Sequence, residues 1–353
     1  MRFAFGAGGT GGHVVPALAL AKELSKHGHD CLFIGNKDGI EDRLSKNEGY
    51  PFHAIRVRKL YRSLSLSNLA FPYYLVESVM QCKRILKEEK IDAVIGTGGF
   101  VSGPVIIAAI LCKVPCFLHE SNSYPGLVTR KIASKLRRLY ISFEDTRGFI
   151  NKADMKNLGI PIQEKTLSEG FSLSEFGLED ERKTLLITGG SQGSLAINQA
   201  VAGALDELLE EGWQILWQTG KNSFSEFSER FKDRKGLYMF DFTMQMNEMM
   251  GKADLSITRA GAITTAELER AKLPAIMIPL PTAAANHQYY NALAQEKKQA
   301  AILLLQSKLT PNFLLAQIRS ADLLALKLAL EKLPANKAAQ NIVQDILDTF
   351  KGD

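Results

Sequence analysis

Cysteine is scarce in this sequence, and its placement does not suggest a metal or redox site. The four cysteines among the 353 residues lie in apolar stretches. Their spacing matches neither a zinc site nor a C-x-x-C redox pair. We therefore expect reduced thiols that pack in the interior, as is usual in the cytoplasm. These residues are Cys31, Cys82, Cys112 and Cys116.

The sequence shows no long hydrophobic run, and we expect neither a membrane-spanning helix nor a secretory leader. The longest nearly uncharged apolar stretch, residues 101–112, is too short to cross a bilayer as a helix. Arg2 leads directly into an apolar segment, which does not resemble a signal peptide. The hydrophobic content of 46% is nevertheless ample for large cores, and the length predicts two domains of ordinary size.

Acidic residues are under-represented in the first half of the chain. Residues 1–162 carry 23 Lys and Arg against 14 Asp and Glu, whereas residues 163–353 carry 20 against 24. This asymmetry predicts that an anionic partner docks on the first half. Because no nucleic-acid module with stacking aromatics is recognisable, we do not expect that partner to be nucleic acid.

Glycine is abundant and clustered, most clearly between Gly6 and His13. This cluster lies between a short apolar run and an amphipathic helix pattern, which predicts a strand, a tight turn and a helix. Such a turn brings backbone N–H groups close to a ligand. The G-x-G-x-x-G pattern is also found in NAD-binding proteins, but the acid expected after the second strand is missing at Gly35, Asn36 and Lys37.

The same strand, glycine turn and helix pattern recurs at residues 96–99 and 189–193. Strand-like and helix-like segments alternate from end to end, which predicts α/β architecture with doubly wound parallel sheets. Three turns favour two Rossmann-like domains facing a deep cleft, although each could be only a tight turn. We place the domains at residues 1–160 and 161–335, with a final helix in residues 336–353 that packs back on the first.

Polar residues follow several predicted strands, where parallel sheets bind ligands. Glu267 lies early in a helix that opens at Ala262, so it could bind ribose hydroxyls or only complement the helix dipole. Thr264 and Thr265 could cap this helix or bind a ligand. Asn122 is a candidate ligand residue, whereas we expect His119 to be a structural histidine near the core.

An apolar and aromatic stretch lies between Leu60 and Arg84. It is flanked by basic residues, and this combination suits the surface of a membrane that contains anionic phospholipid. Ordinary core residues with solvated charges are the alternative. The basic residues are Arg56, Arg58, Lys59, Arg62, Lys83, Arg84 and Lys87, to which Arg130, Lys131, Lys135, Arg137 and Arg138 could add.

Taken in order, these motifs resemble the MurG family, the UDP-N-acetylglucosamine transferases of peptidoglycan synthesis. The resemblance rests on residues 8–14, 96–104, 119–122, 189–193, 259–267 and 286–291. It implies the GT-B fold, with UDP-N-acetylglucosamine bound mainly by the second domain as a substrate. It also implies an inverting reaction without a metal or cofactor, a lipid I acceptor, and a peripheral position on the cytoplasmic face of the bacterial inner membrane.

The resemblance also implies roles for individual residues. His13 would be the general base or would orient the acceptor, with Asn122 near the sugar. The motif that the family commonly has at the hinge differs here, where Gln163 stands in place of an arginine. The residues expected to contact the donor are Thr10, Gly11, Gly12, Asn122, Gln163, Ser191, Thr243, Ala262, Ile263, Thr264, Thr265, Ala266, Glu267, Gln288 and Asn291.

Three other functions compete with this one at the level of sequence. Another GT-B transferase with a lipid acceptor such as diacylglycerol would share the UDP-binding half. An NAD-dependent oxidoreductase would need the missing acid and would not need a glycine turn in the second half. A membrane scaffold without activity would not need Glu267 and Gln288.

Overall fold

The computed structural model describes residues 1–58, 71–163, 170–190 and 192–351. The chain forms two compact units, one made of Met1–Glu164 and Asn336–Asp353 and the other of Lys165–Ala335. Each unit contains its own parallel sheet with helices on both faces. In the described residues, no helix is both long and apolar enough to cross a membrane.

The sheet of the first unit has the strand order β3-β2-β1-β4-β5-β6-β7 in the described residues. All these pairs are parallel, and successive strands are added in opposite directions on the two sides of the β1–β4 pair, so the turns that follow these two strands flank the switch point of the sheet. The strands are β1 Arg2–Ala7, β2 Asp30–Asn36, β3 Phe52–Ile55, β4 Ala93–Gly98, β5 Cys116–Glu120, β6 Arg138–Ile141 and β7 Met155–Asn157. The helices between them are α1 Gly11–Lys26, α2 Ile40–Asn47, α3 Phe71–Glu88, α4 Gly99–Cys112 and α5 Leu127–Ile132.

Strand β1 shows why this sheet is covered on both faces. Phe3 and Phe5 point to one face, where Phe5 stacks on Phe33 with ring centroids 5.1 Å apart. Ala4 points to the other face and packs in a second cluster with Leu32. Side chains alternate along a strand, so an uninterrupted apolar run fills both layers and predicts a central position.

The sheet of the second unit has the order β10-β9-β8-β11-β12-β13 in the described residues, again with parallel pairs. Its switch point lies between β8 and β11. The strands are β8 Thr184–Thr188, β9 Gln214–Gln218, β10 Leu237–Phe240, β11 Leu255–Thr258, β12 Ala275–Met277 and β13 Ala301–Leu303. The helices are α6 Leu195–Glu210, α7 Lys221–Arg230, α8 Met246–Lys252, α9 Ala262–Ala271, α10 His287–Lys297, α11 Pro311–Ser320 and α12 Leu323–Lys332.

The final helix, α13 Ala338–Lys351, belongs to the first unit. Its apolar stripe includes Ile342, Val343 and Ile346, which are fully buried in the cluster that also contains Val14 of α1. Asp345 on the same helix accepts hydrogen bonds from Arg138, Tyr140 and Lys156. Apolar packing and a polar tie therefore hold α13 on the sheet.

Candidate active site

His13 lies in the first turn of α1, immediately beyond β1 and its glycine turn. Its Nδ1 is 3.1 Å from the carbonyl oxygen of Thr97, and the Thr97 hydroxyl donates to the His13 carbonyl at 2.7 Å. Because a carbonyl can only accept, Nδ1 carries the hydrogen in the neutral ring, and the Nε2 position carries the lone pair. The end of β4 thus sets the orientation and tautomer of His13.

Glycine is required where the second turn meets this ring. Gly98 and Gly99 have φ values of +101° and +79°. A Cβ on Gly98 would lie 2.6 Å from His13 Nδ1, and one on Gly99 would lie 2.0 Å from the carbonyl oxygen of Gly8. Only glycine avoids both the clash and the backbone strain, so the turns after β1 and β4 close around His13.

A carboxylate of the protein itself already accepts hydrogen bonds from backbone N–H groups in and beside the turn after β1. Glu41 of α2 is only 2% exposed, and its carboxylate accepts from the N–H groups of Gly9 at 3.4 Å and Asn36 at 3.1 Å. The carboxylate of Glu41 therefore occupies part of the group of backbone N–H donors that we expected to face a ligand. The sequence analysis missed Glu41, because its contact with Gly9 joins residues 32 positions apart.

Thr10, Gly11 and Gly12 complete the first turn. Thr10 is exposed and stands at the N-cap of α1 without a side-chain capping bond. Gly11 and Gly12 are partly exposed, and N–H groups at a helix start have no acceptor within the helix. These groups can donate to a polar ligand.

Asn122 follows β5, two strands away from β1 in the same sheet. Its backbone N–H and its side-chain amide both donate to one Glu120 oxygen, at 3.2 and 3.4 Å. The other Glu120 oxygen accepts from Gly126 and Thr129 at 2.9 and 2.8 Å. Glu120 is buried and holds the loop in shape, while Asn122 remains partly exposed.

His119 is fully buried, which confirms the expectation of a structural histidine. Its Nε2 lies 3.0 Å from the Gly159 carbonyl, and its Nδ1 lies 3.3 Å from the Ser121 hydroxyl. Burial lowers the pKa of His119 to about 4, and the charge of His13 adds to this effect. The ring therefore stays neutral and ties β5 to the segment after β7.

Gln163 lies near the end of the first unit. It is partly exposed, and its amide contacts Glu48 at 3.4 Å. An amide carries no charge, so it cannot replace the electrostatic contribution of an arginine.

In the second unit, the glycine turn after β8 packs tightly on its neighbours. A Cβ on Gly189 would lie 2.3 Å from the Ser194 nitrogen, and one on Gly193 would lie 2.2 Å from the Thr219 carbonyl. Ser194 then caps α6, because its hydroxyl accepts from the Ile197 N–H at 3.4 Å. Ser191, the residue of this turn that is expected to contact the donor, lies outside the described residues.

The start of α9 offers an uncompensated helix N-terminus. Gly261 is the N-cap and provides no side-chain capping bond, and the first turn contains no acid. The N–H groups of Ala262, Ile263 and Thr264 therefore lack intrahelical acceptors. This geometry suits an anionic ligand.

The next residues of α9 differ in exposure: two are buried and support the turn, and one is partly exposed and can contact a ligand. Thr265 is buried, and both its N–H and its hydroxyl bond to the Gly261 carbonyl at 2.9 Å, while Ala266 is also buried. These two residues fix the turn. Glu267 is partly exposed in the second helical turn, where a carboxylate can accept two hydroxyl hydrogen bonds.

Three further predicted residues also lie in the second unit. Thr243 is in the loop between β10 and α8, where its hydroxyl accepts from the Gln245 N–H at 3.0 Å. Gln288 is partly exposed and accepts from the Leu280 N–H at 3.0 Å. Asn291 is fully buried and donates to the Ala260 carbonyl at 3.1 Å, so it supports the turn before α9.

Arg259 is the residue of this unit whose importance the sequence analysis did not recognise. It follows β11, is 9% exposed, and donates to four neutral oxygens around the carboxyl edge of the sheet. Burial lowers its pKa from the ordinary arginine value. In the parts of the chain that the structure describes, no three His, Cys, Asp or Glu side chains are grouped to hold a metal ion.

The sequence matches known proteins along nearly its whole length. Residues 3–141 match the glycosyltransferase family 28 N-terminal domain, and residues 184–350 match the C-terminal domain of that family. The chain belongs to glycosyltransferase family 28, within the MurG transferases. It is accordingly a glycosyltransferase of the GT-B fold.

Individual relatives agree with this assignment. A Bacillus pumilus protein is 38% identical over 90% of this chain and 89% of its own length, and a Flavobacterium psychrophilum protein is 35% identical over 98% and 96%. Both are named UDP-N-acetylglucosamine–N-acetylmuramyl-(pentapeptide) pyrophosphoryl-undecaprenol N-acetylglucosamine transferase. The crystal structure of Acinetobacter baumannii MurG aligns with a TM-score of 0.79 at 28% identity, covering 98% of this chain and 99% of that one.

Proposed function

We propose that this chain transfers N-acetylglucosamine from UDP-N-acetylglucosamine to the C4 hydroxyl of the muramyl sugar of lipid I, giving lipid II. The observation that carries the proposal is the setting of His13 between two glycine turns, with its tautomer fixed by Thr97. A histidine held in this way is suited to accept a proton from a hydroxyl nucleophile. The names of the relatives supply the identity of the two substrates.

The reaction is a single displacement with inversion. The acceptor oxygen forms a bond to the anomeric carbon while the bond from that carbon to the UDP oxygen breaks. The hydroxyl proton passes to Nε2 of His13, and the electron pair leaves with the diphosphate. Asn122, Thr10, Gly11 and Gly12 orient the sugars around this base through their amide and hydroxyl groups.

The second unit binds the donor in this proposal. The uncapped N–H groups at Ala262, Ile263 and Thr264 stabilise the negative charge that develops on UDP, together with the glycine turn and Ser191. Glu267 accepts from the ribose hydroxyls, and the backbone at Thr243 contacts uracil. Gln288 meets the sugar hydroxyls, whereas Thr265, Ala266 and Asn291 act by holding the binding turns in place.

Gln163 is the weakest of the proposed donor contacts. Its neutral amide can donate one hydrogen bond but cannot attract the diphosphate as a guanidinium does. We therefore assign the charge recognition of the donor to the second unit.

The first unit also offers a surface that suits a lipid-linked acceptor. Tyr73, Val76 and Met80 are 69, 63 and 59% exposed and recur along one face of α3. Arg84 and Lys87 extend this face and are also exposed. An apolar stripe with basic neighbours supports peripheral docking on the anionic cytoplasmic leaflet. Residues Lys59 and Arg62 of the predicted basic group lie outside the described residues.

Ligand titration tests the donor assignment. UDP and UDP-N-acetylglucosamine should raise the melting temperature of the protein in a dose-dependent manner, and NAD should not. The same titration on Glu267→Ala should need a higher UDP concentration for an equal shift. Stabilisation by NAD but not by UDP would replace the proposal with the oxidoreductase alternative.

A further inference from the structure

Arg259 ties together the ends of several strands in the second unit. It directly follows β11, and its Nη1 donates to the carbonyls of Ile278 and Pro279 beyond β12, at 3.1 and 3.2 Å. Its Nη2 donates to the Ser194 hydroxyl at 2.7 Å and to the Gln306 side chain at 2.8 Å. The planar guanidinium thus spans the carboxyl edge of the sheet, where ligands bind.

All four acceptors of Arg259 are neutral. Only 9% of the Arg259 surface is exposed. Even so, no carboxylate among the described residues forms an ion pair with its guanidinium. Arg138 in the first unit shows the usual arrangement, since it pairs with both Asp154 and Asp345. A buried charge without a counter-ion is costly, so an anionic ligand that completes the balance would bind more tightly.

Ser194 connects this charge to the glycine turn. It is only 7% exposed, and its oxygen accepts from both Arg259 Nη2 and the Ile197 N–H. With both lone pairs engaged, the hydroxyl hydrogen is left to donate, and it has no acceptor among the described residues. A donor at the end of the turn, backed by a positive charge, is suited to a phosphate oxygen.

The equivalent turn in the first unit is next to a buried group of negative charge, whereas the turn in the second unit is next to the positive charge of Arg259. In the first unit the buried carboxylate of Glu41 accepts from the Gly9 N–H, so an additional anion would be repelled. The two glycine turns look alike in sequence but differ in electrostatics. Of these two turns, the one that ends at Gly193 and Ser194 is the better suited to a diphosphate.

We propose that Arg259 is a positioning and selectivity residue that makes the end of this turn, at Gly193 and Ser194, prefer a nucleoside diphosphate over the uncharged nucleoside. It acts through Ser194 and does not touch the nucleotide itself. This inference rests on the proposed function, in which UDP leaves from this site. It adds to that function a physical origin for the preference for a charged diphosphate over an uncharged nucleoside.

The test compares the affinities of UDP and uridine for Arg259 variants, with uridine binding followed by ligand-observed NMR. Arg259→Gln should weaken UDP binding about tenfold or more and change uridine binding less than about twofold, because only the diphosphate senses the charge. Arg259→Lys should recover part of the loss, and the salt dependence of UDP binding should be flatter in the Gln variant. Ser194→Ala should also weaken UDP selectively.

Arg319→Gln is the matched control, because this exposed arginine of the same unit is already paired with Glu207 and Glu211. It should leave both affinities unchanged. Equal losses of UDP and uridine affinity in Arg259→Gln and Ser194→Ala would make Arg259 a purely structural tie and overturn the inference. Unchanged UDP binding in both variants would also overturn it. Wild-type protein that binds neither ligand would instead refute the proposed function.

Discussion

At the scale of single residues, His13 shows how backbone geometry can prepare a side chain for the proposed chemistry. The Thr97 carbonyl fixes the Nδ1 hydrogen of His13, and two glycines leave room for the ring. The protein therefore has the basic nitrogen at Nε2 before any substrate arrives. Pre-organisation of this kind lowers the entropic cost of reaching the transition state.

Replacing His13 should separate catalysis from donor binding. We expect His13→Ala to lower kcat by roughly 10²–10⁴-fold, the usual contribution of a general base. The dissociation constant of UDP should stay within about twofold, because the proposed contacts with the UDP part of the donor lie mainly in the second unit. Steady-state kinetics and calorimetric titration of UDP measure the two effects.

His53→Ala is a suitable control for this substitution. His53 also lies in the first unit, is partly exposed, and pairs with Glu89 at 3.0 Å. The His53→Ala variant should turn over at the wild-type rate. If His13→Ala turned over at the wild-type rate, His13 would have no part in the proton transfer.

His119 should make the first unit sensitive to acid. Burial lowers its pKa from 6.5 to about 4 in the folded state. Between these values the unfolded chain binds a proton that the folded chain does not, so the free energy of unfolding falls as the pH decreases. We expect the titration of His119 to lower the free energy of unfolding by about 2 kcal/mol as the pH falls from about 7 to about 5.

Denaturant titrations at several pH values check this prediction. In His119→Gln the stability should decline less steeply over that interval, because glutamine does not titrate. The Gln variant will be less stable at neutral pH, so the slope is the relevant quantity. Parallel stability curves for the two proteins would contradict the role assigned to burial of His119.

At the scale of elements, α13 illustrates how a distant segment completes the first unit. Burial opposes the charge of Asp345, but hydrogen bonds from Lys156, Arg138 and Tyr140 outweigh it and lower the pKa of the carboxyl. We expect Asp345→Asn to reduce the free energy of unfolding by roughly 2 kcal/mol, since it leaves partly buried cations less well compensated. Thermal or denaturant unfolding measures the loss.

Asp348→Asn provides the control on the same helix. Asp348 is exposed and pairs with Lys351, so its replacement should change stability much less than Asp345→Asn does. Equal effects of the two substitutions would mean that α13 is held by its apolar stripe alone.

The exposed stripe of α3 should bind lipid. Replacing Val76 and Met80 together by serine removes apolar surface from one helix face without changing charge. We expect this pair to lower the fraction of protein that sediments with vesicles of anionic phospholipid by roughly tenfold, because membrane affinity follows the buried apolar area. Catalysis with a soluble acceptor analogue should be unaffected.

The double substitution Leu324→Ser and Leu328→Ser is the control, because these two leucines resemble Val76 and Met80 in spacing and exposure. Both leucines lie one helical turn apart on α12 of the second unit and are 69 and 47% exposed. Their replacement should leave sedimentation with vesicles unchanged. If both pairs behaved alike, α3 would not be a specific docking surface.

At the scale of the whole molecule, the strand pattern of the sequence predicted two parallel sheets and most of their strands. Central strands such as β1 and β8 are apolar on both faces, and glycine turns follow them directly. The short edge strand β7, Met155–Asn157, was not predicted. It pairs on one side only and contains Lys156 and Asn157, so it lacks the continuous apolar run that marks the other strands.

The candidate site was predictable only in part. Motifs in one stretch of sequence identified His13 and the start of α9, because turn chemistry is local. The charges behind the turns were not predictable, since Glu41 meets Gly9 and Arg259 meets Ser194 through contacts between distant segments. Burial similarly distinguishes Asn291, which supports a turn, from the partly exposed Gln288.

The most direct test of the account is to follow the labelled sugar of UDP-N-acetylglucosamine when lipid I and diacylglycerol are offered together in vesicles. We predict that label appears in the lipid I fraction as a disaccharide with an inverted anomeric centre, and that UDP is released in equal amount. Label in the diacylglycerol fraction, or no transfer to lipid I by protein that binds UDP, would contradict the account.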